Sequence, residues 1–198
     1  MIDQTASLPS LRFSCSESDA LRLSTVLQSG FFVTGTEGDS IYEFLMNLPG
    51  FTEEYLAKEV QTIFYNGDAL DDLESALAGE RATVALGSAM PGLVGAIMKK
   101  GSICGALRKP RTVLDVSQQG KPVEVRVKLF NTVARDMGPG LFTSGIRIDA
   151  RDLYLFLELR PGLVNSFLDI TIDNNNISST QLIEELSSAA QLRVEVNL

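Results

Sequence analysis

The sequence predicts an α+β fold made of two small units joined by a basic, glycine-containing connector, and three observations carry that prediction. Apolar runs that alternate with period two, such as VEVRVKL at 123–129 and LRVEV at 192–196, are interspersed with runs of helical spacing opened by Ser, Thr or Asp. Asn66-Gly67 stands between two apolar runs as a tight-turn signal. Residues 82–98, ATVALGSAMPGLVGAIM, carry no charge and stop at Lys99-Lys100. Glycine and proline break that stretch too often for an ordinary helix, and it is too apolar for a solvated loop, so it calls for a cover.

Residues 1–20 read as an N-terminal extension, and an N-terminal unit is expected over 21–98. LRLSTVL at 21–27 and FFVTG at 31–35 read as a hairpin joined by Gln28-Ser29-Gly30; the alternative is a helix through SESDALRLSTVLQ capped by Ser16 or Ser18. Asp39 or Ser40 caps a helix through IYEFLMNL, where Ile41, Phe44, Leu45 and Leu48 share a face until Pro49-Gly50. Thr52 caps a second helix, with Glu53 and Glu54 in the first turn where they suit the helix dipole. VQTIFY and ATVAL then read as strands on either side of the polar segment 68–80.

Phe64-Tyr65-Asn66-Gly67, Leu77-Ala78-Gly79-Glu80, the strand Ala82–Leu86 and Met90-Pro91-Gly92 together resemble the β-grasp sulfur-carrier group and the related TGS modules, over about residues 21–92. The resemblance implies a hairpin, one helix across a sheet, a strand ending in Asn-Gly, and a last strand running into a glycine-rich tail. In the sulfur carriers the final glycine must be the chain terminus. Here about a hundred residues follow Gly92, so that activity would require cleavage near Gly92 or Gly95. The resemblance carries the fold and leaves the activity behind.

Residues 99–122 form the connector and 123–198 the second unit. Val123, Val125, Val127 and Leu129 alternate with Glu124, Arg126 and Lys128 in a half-buried strand. NTVARDMGPGLF reads as a helix cut short at Gly138-Pro139-Gly140. ARDLYLFLELR, after Asp149, fits a capped helix and a strand equally. FLDITID is a strand turned at Asn174-Asn175-Asn176, Ser178 with Gln181 forms a capping box, and QLRVEVNL closes as a strand. No internal repeat stands out.

Charge is unevenly placed within a net of −8. Residues 1–80 hold three basic and fourteen acidic side chains, 81–135 ten basic and two acidic, and 136–198 four basic and nine acidic. The chain has no histidine, which removes the commonest general base and zinc ligand. Cys15 and Cys104 stand far apart and read as free thiols of a cytoplasmic protein. No signal sequence is evident, and the glycine-broken stretch 82–98 is not expected to span a membrane.

No cofactor, metal or catalytic residue is assigned. Lys100-Gly101-Ser102 has the wrong order for a phosphate loop, and Asp68, Asp71, Asp72 and Glu74 lack calcium-loop spacing. Ser24, Ser88 and Ser102 have no recognisable base. The candidate interaction residues are Met90, Pro91, Gly92, Leu93, Val94 and Gly95 of the apolar stretch and Lys99, Lys100, Arg108, Lys109 and Arg111 of the basic cluster. The cluster lacks interleaved aromatics and the chain is acidic, so docking on an acidic surface of this chain or a neighbour is favoured over nucleic acid. The expected function is a non-catalytic binding or assembly module that self-associates or docks a protein partner. Its alternatives are a sulfur-carrier-like protein cleaved near Gly92 and an RNA-binding accessory protein using the connector.

Overall fold

The computed structural model describes residues 8–89, 92–108, 116 and 119–198. Alternating strands and capped helices build an α+β molecule in which the ten strands found among the described residues lie in one mixed sheet. The chain begins with β1 (Ser10–Ser14), α1 (Glu17–Leu23) and a 3-10 turn (Ser24–Gln28), then β2 (Phe31–Thr36), α2 (Ile41–Met46) and α3 (Glu53–Lys58). Next come β3 (Thr62–Tyr65), β4 (Asp68–Ala69) and β5 (Arg81–Gly87), followed by α4 (Gly92–Met98) and a 3-10 turn (Ile103–Leu107). The remainder is β6 (Pro122–Phe130), α5 (Asn131–Ser144), β7 (Ile146–Asp149), α6 (Ala150–Glu158), α7 (Pro161–Val164), β8 (Leu168–Ile172), β9 (Asn175–Asn176), α8 (Ser179–Ser188) and β10 (Gln191–Asn197).

Local chemistry explains most of these boundaries. Ser16 caps α1, so the helical reading of 16–28 is the one the chain adopts, and no hairpin precedes β2. Ser40 with Glu43 and Ser178 with Gln181 form full capping boxes on α2 and α8, and Thr52 and Asp149 cap α3 and α6. The run 150–158, open between helix and strand in the sequence, is therefore helical. Asn66 and Gly67 both adopt positive φ, 51° and 91°, as a tight hairpin turn between β3 and β4 requires. Asp173 and Asn174 do the same between β8 and β9.

Helix α5 runs through Pro139 to Ser144 instead of stopping at the glycines. Its buried face, which includes Val133, Met137, Leu141 and Phe142, holds it on the sheet, while Arg135 and Asp136 near the interruption are exposed to water. Gly138 is essential to this packing, because a Cβ there would fall 2.0 Å from the Ser24 hydroxyl.

The sheet order is β4-β3-β5-β6-β2-β7-β10-β1-β8-β9. Reading outward from the antiparallel β2·β7 junction, each side pairs antiparallel, then parallel, then antiparallel twice. The two halves thus mirror one another in strand polarity, although the sequence shows no repeat. They also exchange strands. β6, from the expected second unit, lies between β5 and β2, and β1, from the expected extension, lies between β10 and β8.

Each central strand buries alternate residues. Val84, Val127, Phe31, Ile148 and Leu192 stand side by side across five strands and are all nearly inaccessible to solvent. α5 packs against this face from β5 and β6 to β10, and the core is continuous from Leu11 to Val196. The residues of opposite parity are only partly covered, so the second face of the sheet is largely open.

Candidate functional site

The stretch that the sequence marked as needing a cover, 82–98, becomes a strand and a helix, and a turn beyond it folds back on the helix. Residues 82–87 become β5, buried between β3 and β6. Gly92–Met98 forms α4, and 103–107 turns back against it. Gly95, within α4, is buried, whereas Leu93 and Val94 are 71% and 65% exposed and Ile103 and Leu107 are 98% and 72% exposed. The helical hairpin thus displays four large apolar side chains to water. Met90, Pro91, Lys109 and Arg111 lie outside the described residues.

The described basic residues hold the hairpin to its own chain. Arg108 is almost fully buried, 9% exposed at its side chain. Its guanidinium donates to the carbonyls of Ile97 and Lys99, which locks α4 to the turn, and to the Asp71 carboxylate, which ties both to the loop after β4. Asp71 also accepts from the Gly101 amide at 2.9 Å. The hydrogen bond from Arg108 is the main cause holding the Asp71 carboxyl below its ordinary range, and the Gly101 amide adds to it. Lys100 donates from Nζ to the Leu56 carbonyl at 3.0 Å, and burial lowers its affinity for a proton. Lys99 remains exposed. The acidic cluster therefore supplies a counter-ion for Arg108, and Arg108 and Lys100 serve as anchors.

Ser24 donates from its buried hydroxyl to the Ala20 carbonyl. Cys15 and Cys104 are both free, and burial raises the Cys15 thiol's pKa. Among the described residues no group of three or more His, Cys, Asp or Glu is placed to hold a metal ion. No helix among them is long and apolar enough to cross a membrane.

The open face of the sheet carries a second constellation that sequence reading missed. Thr83, Arg126, Phe32, Arg147 and Arg193 form one cross-strand row over β5, β6, β2, β7 and β10. The guanidinium carbons of Arg126 and Arg147 each lie 5.4 Å from the centre of the Phe32 ring, so two cations flank one aromatic. Arg126 donates to Asp152 and to the Ser29 carbonyl, and Arg147 donates to Glu124 at 3.0 Å. A cleft of about 370 Å³ opens beside this row, lined by Phe32, Arg81, Thr83, Glu124 and Arg126 among others. The alternation of VEVRVKL already put Glu124, Arg126 and Lys128 on one side of a strand. Only strand order shows that their neighbours are Phe32 and Arg147, from 94 and 21 residues away respectively for Arg126.

No protein-family model, no curated protein and no solved structure matches this chain.

Proposed function

We propose that this protein is a non-catalytic assembly module that self-associates through the α4 hairpin. The observation that carries the reading is the display of Leu93, Val94, Ile103 and Leu107 on a hairpin that Arg108 and Lys100 hold in place. An unstructured segment would lose conformational entropy on docking, whereas a pinned one presents its apolar groups at lower cost. A second copy of the chain is the occupant. Lys99 stays exposed on the hairpin, and residues 1–80 of a copy, with fourteen acidic side chains against three basic, offer it complementary charge.

The β-grasp resemblance enters this reading as a scaffold. The Asn66-Gly67 turn, the helix α2 and the strand β5 ahead of the glycine-rich segment support it, and the helix at 17–23 departs from it. Terminal-glycine chemistry draws no support, because Gly92 and Gly95 sit within α4 and Gly95 is buried.

Sedimentation velocity over a wide concentration range tests the proposal. The wild-type chain is expected to form a dimer or larger assembly, and Leu93→Asp combined with Ile103→Asp to weaken it at least about a hundredfold, given about 1.5–3 kcal/mol for each large apolar side chain buried. A strict monomer at every concentration excludes the second copy. An assembly indifferent to both substitutions moves the contact elsewhere.

A further inference from the structure

We infer that the open face of the sheet is a binding platform for single-stranded nucleic acid, centred on Phe32 and its flanking arginines. The strands from β5 to β1 place six basic residues on this face, Arg12, Arg81, Arg126, Lys128, Arg147 and Arg193, against the acidic Glu124, Asp149 and Glu195. Asp152 of α6 adds a further carboxylate, bonded to Arg126. A protein with a net charge of −8 thus keeps an excess of positive charge on one surface.

Aromatic rings are interleaved with these cations, the feature absent from the connector. Phe32 lies between Arg126 and Arg147, and Phe64 of β3 lies in the row of Ala85 and Lys128. Neighbouring strands are about 4.8 Å apart, so the row from Thr83 to Arg193 extends about 19 Å, long enough for several unpaired nucleotides. Unpaired bases offer stacking faces to rings and guanidinium planes, while their phosphates pair with cations.

Two features favour a polyanion over another occupant. Arg147 and Arg193 are directly opposite one another on β7 and β10, a like-charge pairing that Glu124 beside Arg147 and Glu195 at 4.0 Å from Arg193 offset in part and that a bound polyanion would offset further. A second copy docked symmetrically on this face would bring the same arginine row against itself, which like-charge repulsion opposes. Arg81, 86% exposed at its side chain, and Lys128, without an ion-pair partner among the described residues, are available to phosphates. Glu124 holds Arg147 and approaches Arg81 at 3.7 Å, orienting both cations across the cleft.

Fluorescence anisotropy of the full chain with labelled oligouridylate and oligothymidylate of about 12 nucleotides tests the inference, with a duplex of the same length as comparison. Saturable binding to a single strand is expected at low salt, weakening about 20- to 50-fold when salt is raised fourfold, as neutralising about three to four phosphates of a single strand implies. RNA and DNA arms distinguish the sugar. Phe32→Leu should weaken binding about tenfold and Arg81→Gln about threefold, and the exposed Arg81 gives a variant whose fold is not at stake. No saturable binding at low salt would overturn the inference, as would affinity unchanged in both variants. So would loss of binding only in Lys99→Gln, which would put the nucleic acid on the hairpin. Binding to phosphatidylserine vesicles with no affinity for either oligonucleotide would also reject it. Self-association through α4 is read by sedimentation and stands or falls independently.

Discussion

Arg108 and Asp71 set the character of the hairpin at the level of single residues. A guanidinium buried among two carbonyls and one carboxylate costs desolvation unless every bond is made, so removing the carboxylate strands the cation. Asp71 titrates below its ordinary range in the folded chain, so it binds fewer protons there than when unfolded. Its contribution is present above the unfolded carboxyl's pKa and disappears as pH falls through the lower folded value. The docked hairpin should therefore hold at neutral pH and loosen below about pH 4. Carbon-detected NMR titration of the Asp71 carboxyl, together with the Gly101 amide shift, is the check. Both should move together at a midpoint below that of an ordinary exposed aspartate, and Arg108→Gln should bring the midpoint back up. An ordinary midpoint in the wild-type chain would contradict the anchor.

At the scale of elements, the sequence was informative where short-range chemistry decides structure. Ser40, one of the two caps offered with Asp39, Thr52, Ser178 with Gln181, and Asn66-Gly67 each act within a few residues, and each marks a boundary in the fold. The α+β class followed from those signals and from alternation in β6 and β10. Residues 17–28 and 150–158 were ambiguous because apolar residues in short runs fit both periods, and only the caps at Ser16 and Asp149 separate them. α5 was harder to read because its continuation past Pro139 depends on packing with an element far back in the chain. The Ser24 side chain and backbone occupy the space beside Gly138. Gly138→Ala should accordingly destabilise the protein by about 1–3 kcal/mol through overpacking, although alanine favours helices. Urea unfolding should show an earlier midpoint, and an unchanged or later one would mean that α5 and the 3-10 turn have room to separate.

Over the whole molecule, exchange of strands between the two halves makes the sheet continuous, and this was the feature least legible in the sequence. Adjacent polar and apolar positions identify a strand, but they do not say which neighbour it joins, and neither β1 nor β6 lies in the half that its place in the chain suggests. The same gap hid the Arg126–Phe32–Arg147 row, whereas Leu93 and Val94 of the hairpin were flagged from sequence because they belong to one contiguous apolar stretch; Ile103 and Leu107, which follow the lysines, were not. The exchange has a direct consequence for folding. Without β6, the segment 21–98 loses Val123, Val125, Val127 and Leu129, all fully buried, and leaves β2 and β5 as open edges on either side of the gap. Four such side chains represent about 6–12 kcal/mol of burial, comparable with the entire stability of a small domain. The isolated fragment 21–98 should therefore lack a cooperative thermal transition by circular dichroism, and the fragment 123–198, deprived of β1 beside β10, should behave alike. Mixing fragments 1–121 and 122–198 should restore β-sheet signal and a sigmoidal transition, because each then receives its missing central strand. A sharp unfolding transition in 21–98 alone would show that the halves are independent and the exchanged strands dispensable.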